Sequence, residues 1–250
     1  MIQIRKVSIR GLKPSRRRIF LYLPEDYDTS GESYPVLYMF DGENLFFDED
    51  TTYGRSWRMA EELDRLHAPI IVCGIESSHA PGERLSELSP FPHNTEELGP
   101  VKGRADILVQ WLVHQLKPSI DEDFRTLPDR EHTFIGGSSM GGLASLYMLS
   151  SFPEVFSRAV CLSPSLWVQP GLVCRMLCES DYPEGTVIYM NYGSEEVRKH
   201  ADTFEVMQDA IRILLEKGVF LTFGIIPGAS HCEECWGHQI PLFMQSLLNP

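Results

Sequence analysis

The residues Gly136-Gly137-Ser138-Ser139-Met140-Gly141-Gly142 set a serine between glycines. In a Gly-x-Ser-x-Gly pattern at a strand-to-helix junction, the glycines let strand and helix approach while a strained turn projects the serine hydroxyl. Only the register Gly137, Ser139, Gly141 fits, because Ser138 as the central serine would need glycine at Met140. The β-branched and aromatic stretch 132–135 before it suits a buried strand, and 143–149 after it suits a helix. A glycine-rich turn without chemistry and a phosphate-cradling loop are the competing readings, but a phosphate loop wants a lysine near Gly142 and there is none. Ser139 is therefore the candidate nucleophile.

A serine hydroxyl needs a base within hydrogen-bond reach, and the base needs a group that holds its tautomer. In proteins with this elbow the chain order is serine, acid, histidine. His231 follows the last expected strand and is the candidate base, whereas His238 stands where a helix should begin and reads as a solvated or capping histidine. The acid should follow the strand at 186–192, where Gly193-Ser194-Glu195-Glu196 stands. Glu196 is preferred, Glu195 comes second and Asp202 third, and a glutamate in such a place is by itself an ordinary solvated charge. The oxyanion of an attacked ester needs preorganised donors. The backbone N–H groups of Met140 and of Glu43, in the turn Asp41-Gly42-Glu43-Asn44, are the candidates. The run from His231 to His238 holds Cys232 and Cys235. Cys-x-x-Cys beside histidine can bind zinc, but one such pair is a weak signal and His231 has the other use, so no metal and no cofactor is expected.

The elements that must position these groups follow from periodicity. Residues 2–9 and 17–23 alternate as two antiparallel strands, and 34–40 is apolar enough for a strand covered on both faces. A helix is expected over 57–66, a strand over 70–75, and a helix over 104–120 with Leu108, Trp111, Leu112 and Leu116 on one side. The intervening polar stretch 76–103 is too long for an ordinary connection and reads as a lid or part of the substrate site. Strands at 158–162, 186–192 and 219–226 alternate with helices at 201–217 and 240–248. The pattern predicts a mostly parallel sheet of about eight strands with helices on both faces, in one domain over 1–250.

With 250 residues, 43% of them hydrophobic, the chain can bury a sizeable core. Its net charge of −13 argues against nucleic acid and anionic membranes as partners. No apolar signal core opens the sequence and no run of about 18 apolar residues occurs, so a cytoplasmic location is expected. Six cysteines in that setting read as free thiols, with Cys73 and Cys161 in the core.

The chain resembles the Putative esterase family of the α/β-hydrolase superfamily, which includes enterochelin, feruloyl and acetyl-xylan esterases, S-formylglutathione hydrolase and mycobacterial mycolyltransferases. The likeness spans nearly the whole chain. It rests on the strand and turn from Tyr34 through Asp41-Gly42 to Phe46, on Arg84 with Glu87-Leu88-Ser89-Pro90, and on Leu116-Lys117-Pro118-Ser119-Ile120-Asp121. The elbow continuing to Phe152-Pro153-Glu154-Val155-Phe156, then Ser163-Pro164-Ser165-Leu166-Trp167, and His231 followed by Trp236 complete it. The resemblance implies an α/β-hydrolase fold and ester hydrolysis through an acyl-enzyme, with Ser139 as nucleophile, His231 as base and the Gly-x-x-acid segment falling on Glu196. Phe40 departs from the histidine that many members carry before Asp-Gly, and Cys232 with Cys235 has no counterpart.

Trp236, Trp167 and Arg84 are the candidate substrate-binding residues, from a wider set of Phe46, Phe47, Tyr53, Trp57 and Arg55 near the expected site. Aromatics there could stack on a sugar or aromatic acyl group, and an arginine could bind an anionic part of a substrate. Small esters are the expected substrates: acylated sugars, hydroxycinnamoyl esters or siderophore esters. An acyltransferase on the same fold, and a zinc or thiol protein using Cys232 and Cys235, are the alternatives.

Overall fold

The structure is a computed structural model that describes every residue except Glu97, His200 and Pro250 and the side chains of Ala201, Asp202 and Thr203. Asp202, the third candidate acid, thus has a side chain outside the described residues.

Among the described residues, eight strands form one sheet: β1 (Ile2–Ser8), β2 (Arg16–Tyr22), β3 (Val36–Phe40), β4 (Ile71–Ile75), and, past a ribbon of β5 (His93–Thr95) and β6 (Gly99–Val101), β7 (Thr133–Ser138), β8 (Arg158–Leu162), β9 (Val187–Gly193) and β10 (Phe220–Ile226). Their spatial order is β1-β2-β4-β3-β7-β8-β9-β10. The pairs β1–β2 and β2–β4 are antiparallel and the others in the sheet are parallel. The chain leaves β3 toward β4 on one side and returns to β7 on the other, so the order reverses between β3 and β7. In open α/β sheets such a reversal opens a crevice at the carboxyl ends of the strands.

Strand alternation divides the interior into two layers. Val36, Tyr38 and Phe40 of β3 face the layer that holds helices 140–151 and 201–216, while Leu37 and Met39 face Leu63 of the helix Met59–Arg65 and Phe243 and Leu247 of the helix Ile240–Leu248. The helix Met140–Ser151 is buried on nearly every side, at ten of its twelve residues, because it lies across β7 and β8 with other helices over it. Such enclosure fixes its N-terminus rigidly.

The polar stretch 76–103 is folded rather than loose. It carries a helix, Glu83–Leu88, and the ribbon β5–β6. Its Glu87 pairs with Arg17 of β2 at 2.7 Å with both side chains buried, and the other carboxylate oxygen accepts from the Ser78 amide at 2.7 Å. The helix expected over 104–120 runs from Ala105–Trp111 through one π turn, Leu112–Leu116, into Lys117–Asp123. The helices Pro170–Glu179, Ser194–Lys199 and Glu233–Gly237 were not expected. No helix among the described residues is long and apolar enough to cross a membrane.

Candidate active site

Five neighbouring strands deliver their carboxyl ends to one crevice. After β7, Ser139 takes φ 56° and ψ −121°, a strained conformation, and stands immediately before the helix Met140–Ser151. Its amide donates to the Leu162 carbonyl at 2.8 Å, which ties the elbow to β8. A Cβ on Gly137 would lie 2.8 Å from the Gly141 carbonyl carbon, so strand and helix can close this tightly only without one. The chain thereby holds the Ser139 hydroxyl out from the crevice floor.

His231, beyond β10, places Nε2 at 2.9 Å from Ser139 Oγ, and its Nδ1 is 2.7 Å from Glu196 Oε2. With Nδ1–H donated to the carboxylate, Nε2 is left to accept the serine proton. Glu196 itself stands in the helix Ser194–Lys199, directly after β9. Its Oε1 accepts from the Ser163 hydroxyl at 2.7 Å and from the Gly193 amide at 2.8 Å. Burial pushes the Glu196 carboxyl up, but the hydrogen bonds from His231, Ser163 and Gly193 outweigh it and hold the group below the usual carboxylate range. Glu195, the second candidate acid, turns to Arg198 instead.

Ser163 was missed as a site residue. It has φ 43°, donates to Glu196 and accepts from the indole N–H of Trp236 at 3.1 Å. Trp236, expected at the substrate, is 6% exposed and meets His231 edge-to-face, with ring centroids 4.8 Å apart. It braces the imidazole from behind. A bonded network joining Ser139, Ser163, Glu196, His231 and Trp236 from four strand ends could not be read from local spacing, although Ser163-Pro164 after a strand end was a visible hint.

Met140 is the first residue of its helix, where an amide has no intrahelical acceptor. Glu43 lies in the 3₁₀ turn Gly42–Asn44 that follows β3. The two turns pack on each other: a Cβ on Gly141 would lie 3.2 Å from Phe40 Cβ and 3.3 Å from Asp41 Oδ2. Arg84, from the folded stretch 76–103, grips both oxygens of Asp41 at 2.6 Å. The Glu43 side chain is buried and accepts from the Ser77 amide at 3.1 Å. Burial and the neighbouring Asp41 charge push its carboxyl up to about 8.

A cavity of about 620 Å³ opens over Ser139 and His231. Leu85, Pro164, Trp167, Val197, Phe204 and Met207 give it a largely apolar wall, and Arg84 and Lys199 bring cationic groups to it. Trp167 is 48% exposed and meets His93 edge-to-face. Of the wider aromatic set, Phe46 and Trp57 are buried and Tyr53 is exposed, while Arg55 pairs with Glu234 at 2.8 Å. None of these four lines the cavity. Cys232 and Cys235 are half-buried free thiols, and His231 faces Ser139 and Glu196 rather than the pair. Among the described residues, no three His, Cys, Asp or Glu side chains are grouped to share a metal ion.

This sheet, with a Gly-x-Ser-x-Gly turn after β7 and a glutamate and a histidine after later strands, has the α/β-hydrolase fold. The Putative esterase family matches residues 12–220, most of the chain, and the protein belongs to that family. The match includes Ser139 and Glu196 and ends before His231. Among relatives, the chain is 27% identical over 197 residues to uncharacterized protein YbbA of Bacillus subtilis (strain 168), covering 78% of this chain and 74% of that one. It is 23% identical over 214 residues to ferri-bacillibactin esterase BesA of the same organism, covering 79% and 73% of the two chains. The crystal structure of an IroE-like serine hydrolase from Shewanella oneidensis superposes with a TM-score of 0.79 at 22% identity, over 98% of this chain and 79% of that one. That likeness speaks for the fold.

Proposed function

We propose that the protein is a serine carboxylic ester hydrolase that works through an acyl-enzyme, with Ser139 as nucleophile, His231 as general base and Glu196 as the acid that orients it. The observation that carries this reading is the continuous line of hydrogen bonds from Glu196 through His231 to Ser139, at 2.7 and 2.9 Å. As Ser139 Oγ attacks the ester carbonyl, His231 Nε2 takes its proton, and the Glu196 carboxylate stabilises the imidazolium. The carbonyl oxygen becomes an oxyanion received by the amides of Met140 and Glu43, each such donor lowering the barrier by about 3 kcal/mol. Collapse breaks the bond to the alcohol, which leaves with the proton from His231. Water, deprotonated by the same nitrogen, then releases the acid and restores Ser139.

Arg84 serves here as the clamp on the Asp41 turn and as part of the cavity wall. Trp167, at the mouth, is the residue assigned to substrate contact, while Trp236 supports the base. The apolar wall suits an ester that carries an aromatic or bulky apolar group, which a hydroxycinnamoyl or catecholate siderophore ester supplies, and the relative BesA is a ferri-bacillibactin esterase.

Hydrolysis of p-nitrophenyl acetate, methyl ferulate, an acetylated xylo-oligosaccharide and a catecholate siderophore ester, by wild type and Ser139→Ala, tests the reading. The expected outcome is turnover highest on the two aromatic acyl esters and lower by about a million-fold in the variant. Preference for the acetylated sugar would contradict the substrate assignment, and full activity in Ser139→Ala would contradict the mechanism.

A further inference from the structure

The cysteine pair next to the histidine has no part in the hydrolytic site, yet its geometry is ordered. Cys232 has an extended backbone, φ −157° and ψ 159°, and precedes the turn Glu233–Gly237, whose first bond runs from the Trp236 amide to the Cys232 carbonyl at 3.1 Å. Cys235 lies three residues on, within this turn. Both sulfurs converge on one neighbour: the Ser230 hydroxyl is 3.6 Å from Cys232 Sγ and 3.9 Å from Cys235 Sγ, and the Ser230 amide donates to Cys235 Sγ at 3.3 Å. Cys232 stands just before the turn and Cys235 within it, and both sulfurs reach Ser230, so their Cβ atoms lie near each other. A disulfide needs about 3.5–4.5 Å, which a small adjustment of the short turn can provide.

We propose that Cys232 and Cys235 are a redox-modifiable pair, oxidised to an intramolecular disulfide by a small-molecule disulfide, and that this oxidation moves His231 away from Ser139. The Cys232 thiolate attacks one sulfur of the reagent, forming a mixed disulfide and expelling one thiolate. The Cys235 thiolate then attacks the Cys232 sulfur and expels the second. Two electrons pass from the pair to the reagent, and the two cysteine protons end on the expelled thiolates, so that the reagent leaves as two thiols.

The order of attack follows from the surroundings. Burial raises the Cys232 thiol, but hydrogen bonds from the Ser230 hydroxyl and from the amide and thiol of Cys235 outweigh it and leave the group below the usual thiol value. Cys235 is held above it by burial. Cys232 is thus the attacking thiol and Cys235 the resolving one. Cys73 and Cys161 are fully buried and shifted far up, which keeps them out of the exchange.

Oxidation reaches the active site through Ser230, which lines the cavity and immediately precedes His231. Closing the disulfide draws the two sulfurs toward each other and off the Ser230 hydroxyl and amide, so the turn that presents His231 loses its three sulfur contacts. The effect on turnover rests on the serine-hydrolase reading, whereas the disulfide and the displacement of His231 do not.

The test uses a Cys174→Ser/Cys178→Ser background, which removes the two cysteines of the outer helix, equilibrated with reduced and oxidised glutathione. Peptide mapping should find Cys232 linked to Cys235, and the His231 imidazole signals in nitrogen NMR should shift in step. Hydrolysis of p-nitrophenyl acetate should fall by about 100-fold, as a base misplaced by about 1 Å would produce, and return on reduction. A further Cys232→Ser change, which removes the attacking thiol, should abolish the linkage, the NMR shift and the loss of activity together. Absence of the linked peptide would overturn the proposal. So would a linked pair that leaves the His231 signals unmoved, a result independent of whether the protein hydrolyses the ester at all.

Discussion

At the residue scale the site depends on a carboxylate that stays ionised although partly buried. Glu196 receives three hydrogen bonds, from His231, Ser163 and the Gly193 amide, each of which favours the charged form. Its folded value lies below that of the unfolded chain. The folded state therefore binds fewer protons than the unfolded one in the acidic range, and the stability Glu196 contributes is fully present above the ordinary glutamate range and is lost as pH falls through the lowered folded value. Replacing it by glutamine removes this dependence, so the thermal midpoint of Glu196→Gln should fall less steeply with acid than that of wild type. The same variant should lose about 10⁴-fold in kcat at neutral pH, since it keeps the shape but no longer fixes the imidazole tautomer. Calorimetry across pH 3 to 7 together with steady-state kinetics checks both, and unchanged kcat would remove Glu196 from the mechanism. Residue types singled out Ser139 as the candidate, because a glycine-flanked serine at a strand-to-helix junction has few other uses. The partners of Ser163 and Arg84 were not legible, since Ser163 lies 33 positions from Glu196 and Arg84 lies 43 from Asp41.

At the scale of elements, the precision of the site comes from close approaches between strand ends. Gly193, the last residue of β9, shows the tolerance: a Cβ there would lie 2.3 Å from the Ala229 carbonyl oxygen and 2.9 Å from Glu196 Oε1. The loop before His231 and the helix that bears Glu196 meet only because that position has no side chain. Gly193→Ala should push the 229–231 turn outward, lowering kcat by about 100-fold and stability by about 1–3 kcal/mol through overpacking. Kinetics and urea unfolding measure both effects; wild-type values in each would show that the meeting does not matter. Periodicity revealed the long strands and most of the helices here. It failed at Glu233–Gly237, because five residues are too few to display a period, and at Pro170–Glu179, where Pro170 and Gly171 argue against a helix although proline is acceptable in its first turn. It also merged three segments over Ala105 to Asp123 into one helix, since a single π turn shifts the register without interrupting the apolar stripe.

At the scale of the whole molecule, the sheet brings Glu43, Ser139, Ser163, Glu196 and His231 from the ends of β3, β7, β8, β9 and β10 to one edge, beside the reversal in strand order. The near-continuous apolar strands and the alternation with helices made this architecture readable, because a parallel sheet covered on both faces leaves a strong hydrophobic record. The stretch 76–103 was harder, as its order comes from long-range pairs, Arg17 with Glu87 and Asp41 with Arg84, that no local pattern announces. The measurement that tests the central claim most directly is covalent labelling with a serine-directed alkyl phosphonate, read by intact mass and peptide mapping. One phosphonyl group per chain is expected, on Ser139, with the rate cut sharply in a His231→Ala variant. Labelling at another residue, or labelling of Ser139 that is indifferent to His231, would contradict it.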